Sequence, residues 1–494
     1  MSLIARTALG DLEGLSADGV LTFRNVPYAA PPIGDRRFAP PSPVLPWQDV
    51  HDARTHGPIA PQPPSRLRTA MGDFERPQSE DCLTLTIATP ATTGARPVLL
   101  WLHGGAYMTG AGSLDWYDGA TLARDGDVVV VGVNYRLGAL GFLHHPAIGS
   151  GNYALDDMVA ALAWVHAHIA AFGGDASRVT VIGQSAGAHA IMCLLTMPQA
   201  RTLFHRAILL SAPPSLAPLS ASAATSFAEQ LLAQLGIPAD AAERLRAVPT
   251  DRLLEAQMTV TRAAARFADV SPPFVPMLDA IASTDAFIAA AAEGAAAEKI
   301  DLVIGTTREE MHAFFAPDPA MAAPDPAAVA ERFATLAGSA DAIDRYRARR
   351  PGASVADLLG DLVTDHMFLF PSLRLADAAT ERGRSVWVSQ FDWSAPGNKF
   401  RACHCIDLPF VFGNPASWPQ AAMLEDGDPG EIASLSATIR AAFTAFAHAG
   451  DPSCPGLAWP RYRPADRLTM RYGALVGVAG DPAGFASRAV SSRS

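Results

Sequence analysis

Short apolar runs that alternate with helical patterns constrain the fold of this 494-residue chain more than any other feature. VLLWL (98–102), VVVVGVN (128–134), VTVI (179–182), AILLS (207–211), LVIG (302–305) and VWVSQF (386–391) have the length and β-branched content of strands buried on both faces. Between the second and third, Leu155, Met158, Val159, Leu162, Val165, Ile169 and Phe172 recur at helical spacing, and Gly173 and Gly174 stop the helix. This order predicts βαβ units, hence an α/β fold: a mostly parallel central sheet flanked by helices, with ligands at the carboxyl ends of the strands. The proline-rich residues 27–64 lack the pattern and read as extended coil or edge strands. The alanine-rich residues 217–298 and 316–385 read as helical insertions roofing the active site of a single domain spanning 1–494.

A chain with 49% hydrophobic and 18% charged residues has enough apolar surface for a large core. Its net charge of −11 has the wrong sign for a phosphate backbone or an anionic membrane, so neither nucleic acid nor membrane is an expected partner. The basic run RYRARR (345–350) reads as a solvated helix end. MSLIARTALGDLEG at the start carries no sustained apolar segment of a secretory signal, and no other run reaches the length expected of a membrane span. The cysteines, Cys82, Cys193, Cys403, Cys405 and Cys454, are odd in number and lack the spacing of a zinc site or disulfide framework, which points to a reduced, cytoplasmic setting.

VTVI runs directly into GQSAG (183–187). Glycines bracketing a serine as GxSxG let a strand turn sharply into a helix, expose the Ser185 hydroxyl above the sheet and free the next N–H for an anion. Alone, the motif is also a tight turn; an acyl-transfer serine needs oxyanion donors, a base and an acid. WLHGGAYMTG follows the first core strand, and the small residues Gly104, Gly105 and Ala106 let the backbone approach a substrate. With Ala186, the N–H groups of Gly105 and Ala106 would form a three-donor hole, while His103 shapes the loop. In the order Ser, acid, His, GTTREEMHAFF offers Glu309 and Glu310, and RACHCIDLPFVFG offers His404. His189 reads as a helix-surface residue, His312 lies too near the glutamates to bridge independently, and His366 and His448 read as structural. Spacing favours His404 and leaves both glutamates open.

These motifs lie within a longer ordered series: VPYAAPPIGDRRFAPP, SEDCLTL, HGGAY, NYRLGALGFL, GNYALDDMVAALAWV, FGGDASRVTVIGQSAGA, LFHRAILLS, GTTREEM, HCIDLPFVFG and WPRYRP. The series resembles the type-B carboxylesterases, the cholinesterase-like branch of the α/β-hydrolases, and within them the bacterial para-nitrobenzyl esterase group. The resemblance runs from the region of Gly14 almost to Gly473. It implies an α/β-hydrolase fold with Ser185 as nucleophile, Glu310 as acid and His404 as base, and Ser211 supporting the triad by hydrogen bonding. Because the family reads Asp-Glu-Gly where this chain has Glu309, Glu310 and Met311, the resemblance makes Glu309 a flanking surface charge. Departures are Gln184 for a common Glu, Met311 for a Gly, which is expected to narrow the acid loop, and Asp407 for a Glu. Cys82 matches a cysteine paired in secreted relatives, but no cysteine precedes it here.

The implied activity is hydrolysis of a small-molecule carboxylic ester through an acyl-serine, with no metal or organic cofactor, in a monomer or small homo-oligomer. The same triad serves carbamate or amide hydrolysis and acyl transfer, and a non-catalytic binding module is the remaining alternative; such modules typically lack the nucleophile. Tyr107, Phe314, Phe315 and Phe400 flank catalytic positions and either shape an apolar cleft or pack the core.

Overall fold

A computed structural model of the protein describes residues 3–481. Thirteen strands form one sheet: β1 (Leu3–Thr7), β2 (Gly10–Ala17), β3 (Val20–Pro27), β4 (His51–Asp52), β5 (Thr84–Thr89), β6 (Arg96–Leu102), β7 (Val129–Val133), β8 (Gly174–Gln184), β9 (Arg206–Leu210), β10 (Asp301–Thr307), β11 (Val386–Phe391), β12 (Leu468–Tyr472) and β13 (Val476–Gly480). Their order is β1-β2-β3-β5-β7-β6-β8-β9-β10-β11-β12-β13, with β4 beside β2. From β7 to β12 every pairing is parallel, and antiparallel strands close the two ends. All six expected core strands are present. They read as continuous apolar runs because both faces are covered: Leu100, Val131 and Val181 face one core, and Leu99, Trp101 and Ile182 face the other.

Helix Tyr153–His168 links β7 to β8 and, because β6 lies between them, crosses over one strand. Its buried stripe, Leu155, Met158, Leu162 and Val165, follows the periodicity seen in the sequence. Gly173 ends the segment at φ +73°. Contrary to the expectation that no run reaches membrane-span length, Tyr153–Phe172 is long and apolar enough by length and composition. In the fold it packs on helix Ala186–Thr196 and β8, half buried, as a sheet-covering helix.

The alanine-rich stretches contribute to two layers. Helices Thr284–Ala297 and Phe370–Glu381 lead into β10 and β11, pack on each other and belong to the sheet layer. The close approach has a sequence cause: a Cβ at Gly294 would run into the Leu195 carbonyl of helix Ala186–Thr196. Residues of helices Pro326–Ala337, Ala342–Arg349 and Val355–Val363 build a separate core, with Phe333, Leu358, Leu359 and Leu362 at its centre. Met311, beside the candidate acid, is fully buried in that core and ties the acid loop to it.

Candidate active site

Ser185 sits between the end of β8 and the start of helix Ala186–Thr196, at φ +55° and ψ −120°. Such a backbone is strained for a non-glycine residue, and its neighbours hold it there. The Ser185 N–H donates to the Leu210 carbonyl at 2.8 Å, and its carbonyl accepts from His189 N–H at 2.9 Å. Both flanking glycines are sterically required: a Cβ at Gly183 would lie 2.6 Å from the Gly187 carbonyl carbon, and one at Gly187 would meet the Leu102 carbonyl oxygen.

The loop after β6 carries three successive residues with positive φ, Gly105 (+113°), Ala106 (+55°) and Tyr107 (+58°). Consecutive N–H groups in this conformation make an anion-binding concavity. The N–H groups of Gly105, Ala106 and Ala186 donate to no protein acceptor among the described residues, and that of Ala186 lies at a helix N-terminus. Gly104 packs so closely that a Cβ there would strike the Gln184 side chain. His103 is buried, stacks on Tyr135 with ring centroids 4.2 Å apart, and pairs its Nδ1 with the Gly104 carbonyl at 2.7 Å. Burial drives its pKa down to about 4, so it stays neutral and shapes the loop.

Glu310 and His404 meet below this loop, both almost fully buried. Glu310 Oε2 lies 2.6 Å from His404 Nδ1, and Oε1 accepts the Thr307 N–H at 2.8 Å. The His404 N–H donates to the Glu310 carbonyl at 3.2 Å, so backbone and side chain both fix the pair. On the opposite edge, His404 Nε2 lies 3.1 Å from the Gln184 side-chain NH2. An amide donor facing Nε2 and a carboxylate facing Nδ1 select the neutral tautomer with its proton on Nδ1, the form able to accept a proton from a hydroxyl. No hydrogen bond joins Ser185 Oγ to His404 among the described residues, as is common before substrate tightens such a site. Asp407 is buried close by; desolvation and the Glu310 charge push its carboxyl up to about 7 against the opposing effect of His404.

Gln184 thus takes a definite place in the site. Gln184→Glu would put a carboxylate beside His404 Nε2 and favour imidazolium. The acid limb of the kcat/KM pH profile should then move to higher pH, as a pH titration of ester hydrolysis will show.

Several sequence readings need correction. Glu309 is not a surface charge: it is 7% exposed, accepts the Ala402 N–H at 3.2 Å and pairs with Arg308, Arg350 and Arg401. The end of RYRARR is accordingly not simply solvated, since Arg349 pairs with Asp365 at 2.8 Å and Arg350 with Asp361 at 3.0 Å. Ser211 does not support the triad by hydrogen bonding. Its buried hydroxyl has no partner among the described residues, while the Glu310 carboxylate is already engaged by Thr307 and His404. His189 is buried, not on the helix surface, held between Tyr107 Oη at 2.7 Å and the Leu216 carbonyl at 2.6 Å.

Ser185, His404, Gly105 and Ala106 line one cleft of about 550 Å³ including its open mouth. Of the four aromatic residues singled out from sequence, Phe314 lines it, with its ring 5.6 Å from that of His404; Tyr107, Phe315 and Phe400 are core. Phe368, in the core of the helical layer rather than in the wall of the cleft, places a second ring 5.2 Å from His404. Sequence reasoning missed the rest of the wall: Arg66, Leu67, Met108, Cys405, and Met258 with Thr261, which lie three apart on one face of helix Thr250–Ala264. Met108 and Cys405 lie inside the quoted HGGAYMTG and HCIDLPFVFG stretches, whereas no local motif marks Arg66, Leu67, Met258 or Thr261.

Residues 1–476 match the carboxylesterase family. The chain is 38% identical over 494 residues to the para-nitrobenzyl esterase of Bacillus subtilis, covering 97% of this chain and 96% of that one. It is 38% identical over 483 residues to the phenmedipham hydrolase of Pseudarthrobacter oxydans, covering 95% of each. A solved carboxylesterase of Geobacillus stearothermophilus superposes with a TM-score of 0.87 at 34% identity, covering 99% of both chains.

Proposed function

Because this chain belongs to the carboxylesterase family, we propose that it hydrolyses small to medium apolar or aryl carboxylic esters with Ser185, His404 and Glu310 as its catalytic residues. The observation that carries the residue assignment is the buried Glu310–His404 pair with Nε2 left as acceptor, beside a serine held at a strained turn. Ser185 Oγ attacks the ester carbonyl carbon as His404 Nε2, released from Gln184, takes the hydroxyl proton. Glu310 holds Nδ1–H and stabilises the imidazolium. The oxyanion that forms on the carbonyl oxygen is received by the free N–H groups of Gly105, Ala106 and Ala186. On collapse the C–O bond to the alcohol breaks, and His404 returns its proton to the departing oxygen. Water activated by the same imidazole then hydrolyses the acyl-serine and restores the hydroxyl.

The substrate class rests on the wall of the cleft, where Leu67, Met108, Met258 and Phe314 are apolar, and on the relative named a para-nitrobenzyl esterase. A reducing, cytoplasmic location fits five free thiols, four of them buried. Para-nitrophenyl esters from acetate to decanoate should be turned over, and an organophosphate should abolish turnover while leaving its adduct on Ser185 by mass spectrometry. Turnover that survives, or an adduct elsewhere, would overturn the nucleophile assignment.

A further inference from the structure

Resting on the ester-hydrolase reading, we propose that Arg66 selects substrates that carry a carboxylate away from the scissile ester bond. Arg66 lines the same cleft as Ser185 and His404, and the lining contains no aspartate or glutamate. Its guanidinium has five donors, of which Nη2 gives one bond to the Val270 carbonyl at 2.9 Å. No carboxylate lies within ion-pair distance of it among the described residues. Asp269 is the acid that bears on it electrostatically, but Asp269 is turned toward Arg332 at 3.9 Å and toward the Ser271 N–H at 2.9 Å. Most of the fork is therefore unspent on the protein, in a residue that lines the cleft.

The position of Arg66 is fixed by its neighbours rather than by a charge. Gln62 clamps the segment to the loop after β6, giving its NH2 to the Gly110 carbonyl at 3.0 Å and accepting the Gly110 N–H at 2.6 Å. Leu67, next in the chain, is buried as an anchor. Arg66 itself is exposed at the mouth, yet enough protein crowds it that desolvation lowers its pKa. In such a setting a charge-assisted, bidentate bond to a carboxylate is stronger than in open water. The rest of the molecule works against this preference at long range, since the net charge is −11, but that field is screened beyond roughly 8 Å at physiological salt. A local cation is what gives an anionic substrate its attraction.

The test uses matched ester pairs on the full chain. One pair carries the charge on the alcohol side, 4-carboxyphenyl butyrate against its methyl ester; the other carries it on the acyl side, phenyl hydrogen glutarate against phenyl methyl glutarate. The expected result is that Arg66→Gln lowers the anionic-to-neutral ratio of kcat/KM by about tenfold or more in at least one pair, through KM. Arg66→Lys should keep part of the ratio, and 0.5 M salt should erode it in the unaltered protein. The pair that responds identifies the side that Arg66 reads. On the unaltered protein, 4-phenylbutyrate should inhibit more strongly than 4-phenylbutyramide, which tests the proposal without any variant. Ratios unchanged in both pairs, or both members of each pair weakened alike, would reduce Arg66 to a strap on Val270 and overturn the proposal. If neutral esters are not hydrolysed and Ser185 takes no organophosphate, the ester-hydrolase reading fails and this inference falls with it.

Discussion

Ser185→Ala is expected to lower kcat on a neutral aryl ester by roughly 10⁴-fold or more, while the protein keeps its fold. The loss is large because, of the hydroxyls that line the cleft, Ser185 alone stands at the strand-to-helix turn beside the free Ala186 N–H. Cys405 lines the same wall, but burial, together with the charges of Asp407 and Glu310, pushes its thiol far above the ordinary range, so it supplies no thiolate. The free N–H groups of Gly105, Ala106 and Ala186 remain in the variant and account for any residual rate. The fold should be indifferent, since alanine already occupies the same φ of +55° at Ala106, and the Ser185 N–H bond to Leu210 is made by the backbone. A thermal midpoint measured beside kcat separates the two effects. A rate within tenfold of the unaltered protein, from a variant of normal stability, would remove Ser185 from the mechanism.

The elements that were legible in the sequence are those whose cause is local. Strands β6 to β11 announce themselves because burial on both faces leaves mostly apolar runs, broken only by small or amide side chains such as Thr180, Ser389 and Gln390. The elbow is legible because Gly183 and Gly187 answer to backbone atoms a few residues or one strand away. Glu309 and Ser211 were not legible in the same way. The ion pairs that bury Glu309 come from Arg350 and Arg401, whose approach depends on how helix Ala342–Arg349 and the loop before His404 pack. Ser211 has the identity that the family pattern asks for, but identity does not fix where a hydroxyl points. Its N–H instead joins β9 to β10 through the Gly305 carbonyl at 2.7 Å. Arg66 and Met258 belong to segments that reach the site only through tertiary packing, so no spacing argument could bring them to Ser185.

The two adjacent glutamates separate catalysis from stability. Glu310→Gln keeps the shape of the side chain but leaves one acceptor oxygen where the structure has two donors, Thr307 N–H and His404 Nδ1–H. If the amide oxygen serves Thr307, its NH2 faces Nδ1, the imidazole moves its proton to Nε2, and it can no longer accept one from Ser185. If the oxygen serves His404, the Thr307 N–H is left opposite a donor and the imidazolium loses its counter-charge. Either arrangement should cost about 10² to 10⁴ in kcat. Glu309→Gln leaves the imidazole untouched and removes the charge shared by Arg308, Arg350 and Arg401. Those arginines are 44%, 29% and 32% exposed on their side chains, so water screens much of the loss. About 1 to 2 kcal/mol of stability should go, with kcat held within about threefold. Steady-state kinetics and denaturant unfolding on both variants decide the matter. The opposite pattern, with turnover lost at Glu309 and stability lost at Glu310, would transfer the acid role one residue back. It would also require the short carboxylate–imidazole contact to be a structural ion pair, because a catalytic acid at Glu309 would have to reach His404 through the arginines that now surround it.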